Sequence, residues 1–325
     1  MLYVTTRNDQ EAFTVQHVMT RSRGEDGGLY LPLHFPKVSV ENLKKMRNMS
    51  FNQRIASVLN LFFSTKLSGW DVDFSVGRYP VRLRELSHRI LAGEFWHNFQ
   101  WRYAGLQEKL TELVSCDAGE EGSWSTIAIR MAVLAAILLE RDETESDRMD
   151  IAAALGDFSV PISAWYLRKM GFPVGNIICC CGENNQLWEL ICMGQMKLDT
   201  ALPANLERLL FDCGGVGQAK RFACGCSEGL LYNASEEMLK ILRKNLYVSV
   251  VSSDRIETAI PNVYNTYDYV LPSESALAYC GLMDYRSKTG ITRPAIVICD
   301  YSPVEEADSI LNWMKLSKED FLRMI

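Results

Sequence analysis

Between residues 148 and 300 the sequence alternates short β-rich runs with segments of helical period, and no other feature constrains the fold as strongly. "RMDIAAAL" (148–155) reads as a strand and "VPISAWYLRKMG" (160–171) as a helix ending at Gly171. "VGNIICCC" follows as a strand, and "NNQLWELICMG" (184–194) as a helix ending at Gly194. Strands joined through helices run parallel, so this order implies βαβ units and an α/β fold. "NLYVSVVSS" and "RPAIVICD" (293–300) add strands, with the helix "SESALAYCGLMDYRSKTG" (273–290) between them. "NIICCC" and "PAIVICD" are therefore expected in one mostly parallel sheet flanked by helices. Upstream, "DGGLYLP" reads as a turn feeding a short extended segment, and Ser39 as the cap of a helix. "SFNQRIASVLNLFFS" puts Phe51, Ile55, Val58, Leu59 and Phe62 at helical spacing. A helical N-terminal part through about residue 92 is expected.

Composition narrows the function classes. With 325 residues, 48% hydrophobic and 23% charged, the chain is globular and able to bury a sizeable core. Its net charge of −6 supplies no basic stripe, so no nucleic-acid partner is expected. Apolar runs such as "MAVLAAILL" fall short of the ~20 residues of a membrane span, so no membrane partner is expected either. "MLYVTTRNDQ" lacks a basic region followed by an apolar one, which makes a cytoplasmic location the expectation. Of the ten cysteines, Cys213, Cys224 and Cys226 resemble a three-ligand set. They fit no paired CxxC spacing, and no histidine is near them in sequence, so no metal is expected and the thiols are expected to be reduced. The acidic "ERDETESD" (140–147) reads as a solvated helix end or loop.

Four stretches, in order, resemble threonine synthase, a pyridoxal-phosphate (PLP) enzyme of the tryptophan-synthase-β fold type. "YVTTRNDQEAFTVQHVMTRSRGEDGGLYLPLHFP" is similar to that family's opening, Y-x-S-T-R-G followed by D-G-G-L-Y-x-P. "YLRKMGFPVGNIICCCGENNQLWELICMG" resembles its K-K-M-G-L-P, strand, N-E-N-D-I-L run. "NLERLLFDCGG" is similar to N-F-E-R-L-L-F-D, and "DYVLPSESALAYCGLMDYR" to its Y-x-x-D-P-H-T-A-V-A-Y segment. The resemblance implies a PLP fold of type II and marks residues 1–92 as the family's N-terminal region, with an α/β domain over 93–325.

The same resemblance implies lost chemistry. Where the family writes E-L-F-H-G-P-T-x-A-F-K-D-F-A-L-Q, this chain writes "EFWHNFQWRYAGLQ", and the family's F-K-D falls on Trp101, Arg102 and Tyr103. The family lysine joins the PLP aldehyde as a free amine. A guanidinium stays protonated with delocalised lone pairs and cannot do so. Lys109 is a weak substitute, about 10 Å further along a helix. The phosphate loop T-G-N-F-G corresponds to Leu155, Gly156, Asp157, Phe158 and Ser159, with an added carboxylate at Asp157. The substrate loop S-G-D-T-G corresponds to Ser115, Cys116, Asp117, Ala118 and Gly119. Asp300 falls near the position facing the pyridine nitrogen. Only "EEG" separates Gly119 from the helix at 123, so the βα units of the family's small domain are largely missing.

Two readings follow. The first is a pseudoenzyme on a shortened threonine synthase scaffold, acting through an unidentified protein or small-molecule partner, with no cofactor expected and Gly156, Asp157, Phe158, Ser159 and Asp300 vestigial. The alternative is a protein with altered chemistry that binds PLP or another phosphorylated ligand, with Arg102 as an anion clamp. A pure interaction protein has only seven tryptophans in its favour; Trp101, Trp124 and Trp165 are expected in the core.

Overall fold

The computed structural model describes residues 1–325 except 79, 97–102, 117–122, 141–147, 320 and 322–325. Its centre is a six-stranded sheet in the order Leu246–Val250, Val174–Cys181, Met149–Ala154, Ala295–Cys299, Ile90–Glu94 and Arg82–Ser87. Neighbouring strands are parallel except for the last, which pairs antiparallel as an edge. "NIICCC" and "PAIVICD" thus lie in one sheet, as expected.

Both faces are covered, and side-chain alternation sorts the strands between two cores. Ile151, Ala153, Cys179, Ile296 and Ile298 pack with the helices Phe51–Phe63, Trp124–Leu138 and Ser159–Met170. Ala152, Ile178, Cys180, Val297 and Cys299 pack with Ser253–Tyr267, Ser273–Thr289 and Ala307–Met314. The adjacent thiols Cys179 and Cys180 therefore sit in different cores, and none of the ten cysteines forms a disulfide. The helix Trp124–Leu138 is apolar nearly all round, and all of it is buried except Thr126 and Arg130. Trp124 and Trp165 are core residues; Trp101 lies outside the described residues. Among the described residues no helix is long and apolar enough to cross a membrane.

Local signals explain the boundaries. Gly171, Gly194 and Gly290 end their helices at φ 105°, 78° and 70°, the left-handed geometry that glycine adopts without Cβ strain. Ser39 accepts from the Asn42 amide at 3.2 Å, and Ser50 forms a capping box with Gln53.

The N-terminal part is less helical than expected. Tyr3–Thr5, Asn8–Phe13 and Tyr30–Pro32 form a three-stranded antiparallel sheet, and the strand Ile90–Glu94 runs across residues 92 and 93 into the main sheet. Three-residue strands are too short to show a period-2 pattern. This small sheet is locked to the helix Asn205–Glu228 by Glu207 and Arg208, both almost fully buried. Arg7 forks onto Glu207 through Nε (3.0 Å) and Nη2 (2.9 Å), and the Thr6 hydroxyl donates to the same carboxylate. Arg208 donates to the Tyr30 carbonyl through Nε (3.1 Å) and Nη2 (3.0 Å).

Candidate functional site

In open α/β sheets ligands bind beyond the carboxyl ends of the strands, and a cavity of about 550 Å³ opens there. Ala154 and Cys181 at the ends of two central strands, Gly156, Phe158, Glu274 and Glu306 all line it. The strand Met149–Ala154 leads into a turn in which Gly156 has φ +45° and Phe158 φ 64°, and the Phe158 amide donates to the Leu155 carbonyl at 2.8 Å. The helix Ser159–Met170 starts directly from this turn. Asp157 Oδ1 accepts from the Ser159 amide at 2.9 Å, so the carboxylate caps the helix start and takes one of the amides that would otherwise face an anion. Asp157 is exposed, and its repulsion of an anion is that of a solvated charge.

Glu274 lines the cavity, and Arg130 and Tyr103 gather near it around Asp300. Glu274 comes from the first turn of Ser273–Thr289, and its Oε1 is 3.4 Å from where a Cβ on Gly156 would stand. Its Oε2 is buried without a hydrogen-bond partner. Burial first, then the carboxylates of Asp300, Glu306 and Asp157, push its pKa up to about 7, against the pull of Arg130. Arg130, the one charge in its apolar helix, donates to Asp300 Oδ1 at 2.8 Å and lies 5.6 Å from the centroid of Phe95. Burial alone would lower its pKa, but the Asp300 charge outweighs that and holds the guanidinium protonated. Tyr103, at φ 59° ahead of the helix Ala104–Val114, has a buried hydroxyl with no partner. Burial raises its pKa, and it remains a neutral phenol.

The residues singled out in the sequence fare unevenly. Gly156, Asp157, Phe158, Ser159 and Asp300 are grouped at this end of the sheet. Arg102, Asp117 and Gly119 lie outside the described residues. Ser115 is an exposed helix C-cap at φ 59°. Lys109 Nζ contacts Glu112 at 3.0 Å and Asp71 at 3.8 Å, and the bond to Glu112 raises its pKa. It is a surface ammonium, not a free amine. Arg130, Glu274 and Tyr103 were not foreseen. A lone arginine in a fifteen-residue apolar helix was the available signal for Arg130, whereas Glu274 reads locally as an ordinary first-turn acid.

The site is also tied to the N-terminal sheet. Asn205 Nδ2 donates to the Asp157 carbonyl at 3.0 Å, and Arg208 Nη1 donates to Asn205 Oδ1. Arg208 thereby links the Tyr30 carbonyl to the turn at Gly156.

Residues 2–76 match the family described as threonine synthase N terminus. A threonine synthase of Methylobacillus glycogenes is 32% identical over 60 residues, which are 18% of this chain and 13% of that protein. This chain is accordingly the shorter. The PLP-bound threonine synthase of Brucella melitensis superposes with a TM-score of 0.82 at 16% identity, covering 97% of this chain and 92% of the other. The yeast threonine synthase gives 0.82 at 13% identity over 98% and 90%, and that of Escherichia coli 0.71 at 14% over 100% and 94%. These likenesses show the fold, a mixed α/β PLP type. They also correct one expectation: no cofactor was expected here, yet the Brucella protein with the same fold is PLP bound, and the cofactor to which the fold points is PLP.

Proposed function

We propose that this chain, whose residues 2–76 match the threonine synthase N terminus and whose fold is that of the solved threonine synthases, holds PLP without covalent attachment and performs no threonine synthase turnover. One observation carries this reading. The cavity has its glycine turn, but among the described residues no lysine lines it, and the motif resemblance puts Arg102 in the family lysine's place.

The residues present fit the cofactor at both ends. The glycine turn at φ +45° allows close backbone approach of a phosphate, and the dipole of the helix behind it favours an anion, even though Asp157 occupies the Ser159 amide. Asp300, fixed by Arg130 through Oδ1, is the carboxylate that would pair with a protonated ring nitrogen. When bound, PLP supplies an electron sink for charge developing on a substrate carbon. The chain's residues bind and orient around it. Protonated Glu274 donates toward the phosphate side, while ionised Glu274 repels it. Tyr103 offers a neutral hydroxyl, and Arg130 holds Asp300 in place.

The assay is phosphate release from O-phosphohomoserine with PLP present, expected at background. Turnover well above background that disappears in Lys109→Ala would refute the reading and give Lys109 the amine role.

A further inference from the structure

At the opposite, amino-terminal ends of the strands five arginines gather around one buried acid. Arg148 immediately precedes the strand Met149–Ala154, and Arg293 lies two residues before Ala295–Cys299. Arg89 precedes Ile90–Glu94, while Arg168 and Arg286 come from the last turns of their helices. Hydrogen bonds knot these starts together. Arg286 Nη2 donates to the carbonyls of Arg89 (3.0 Å) and Arg293 (2.7 Å), Arg89 Nη1 to Thr292 O (2.9 Å), and Arg168 Nη1 to Asn245 O (3.1 Å).

Among the described residues the one carboxylate within ion-pair reach of any of the five is Asp150, 3.8 Å from Arg293 Nη1. Asp150 is fully buried and accepts from the Asn176 amide at 2.6 Å. Among the described residues the charges do not balance: five guanidinium groups gather about one acid in a chain whose net charge is −6. Two of the groups are also under-satisfied, since Nε of Arg168 and Nε of Arg286 are buried without a partner. Buried donors left unpaired are costly and mark a place where an ion or water belongs. Burial, with Arg148 and Arg293 nearby, pulls the Arg168 pKa down to about 10, the sign of a cation short of counter-charge.

We propose that this cluster is a second ligand site, for a compact phosphorylated anion, a strand's length (roughly 17–20 Å) from the cavity at the carboxyl ends. Guanidinium forks pair bidentately with phosphate oxygens. The overall negative charge opposes an extended polyanion, whereas two or three charges on a small molecule fit the cluster.

The test is calorimetric titration of the full chain with inorganic pyrophosphate at fixed ionic strength. One saturable site is expected, with its affinity reduced at least tenfold in Arg148→Gln/Arg293→Gln. Arg148 is exposed, so Arg148→Gln alone, expected to weaken binding severalfold, serves if the double variant fails to fold. The affinity should be unchanged with PLP in excess. No saturable binding, equal binding by the variants, or displacement by PLP would each overturn the assignment; the last would place the anion at the Gly156 turn.

Discussion

Glu274→Gln is expected to raise the affinity for PLP at pH 8 by roughly tenfold or more, the size expected from removing a like charge a few ångströms from a phosphate at intermediate dielectric. At pH 6 the variant and the natural chain should differ little, because Glu274, with its pKa pushed up to about 7, is then mostly neutral. The phosphate's own second ionisation, near pH 6, makes affinity rise with pH. In the natural chain the ionisation of Glu274 opposes that rise; the charges facing Glu274 are those of Asp300, Glu306, Arg130 and Asp157. In the variant the rise should reappear, and fluorescence titration across pH 5.5–8.5 reads both curves. Stability follows the same linkage. A carboxyl whose pKa is raised on folding stabilises below its ordinary value near 4.5, and that contribution is lost as pH climbs through about 7. Discounted for partial exposure, the variant should be more stable at pH 8 by on the order of 1–2 kcal/mol, a few degrees in Tm. Equal melting at pH 5 and a gain at pH 8 is the expected pattern; a gain of the same size at both would place the effect in packing.

Arg208→Ala should be the most damaging single change, at about 3–5 kcal/mol. Burial pulls the Arg208 pKa only down to about 10, so the group is a buried cation at neutral pH. Its removal leaves the Tyr30 carbonyl and the Asn205 side chain without their donors and opens a void beside Trp124, whose ring lies 5.8 Å from the guanidinium carbon. Urea unfolding measures the loss. Arg208→Met, which keeps most of the volume, should recover part of it. Because Asn205 holds the Asp157 carbonyl, Asn205→Ala should weaken PLP binding severalfold with a smaller effect on stability. If Asn205→Ala leaves PLP affinity unchanged, the N-terminal sheet does not support the turn.

The contrast between Gly171 and Glu274 shows what could be read from the sequence. Gly171, Gly194 and Gly290 mark helix ends by a backbone requirement confined to one residue, and the strand from Val174 to Cys181 is legible because a strand buried on both faces is a continuous apolar run. The edge strand Arg82–Ser87, half of whose side chains are exposed and charged, shows no such run. The turn at Gly156 was found because its residues are consecutive. Tyr103, Arg130 and Glu274 come from three separate elements, and only the packing of those elements makes them neighbours.

The central claim is that the site keeps its pocket but lacks an amine to join the cofactor. The most direct measurement is borohydride reduction of the full chain saturated with PLP, followed by gel filtration under denaturing conditions and mass analysis. The account predicts PLP that co-migrates with the folded chain before denaturation and no stoichiometric covalent mass increase on any lysine afterwards. One PLP retained per chain, mapped to a single lysine such as Lys109, would contradict it.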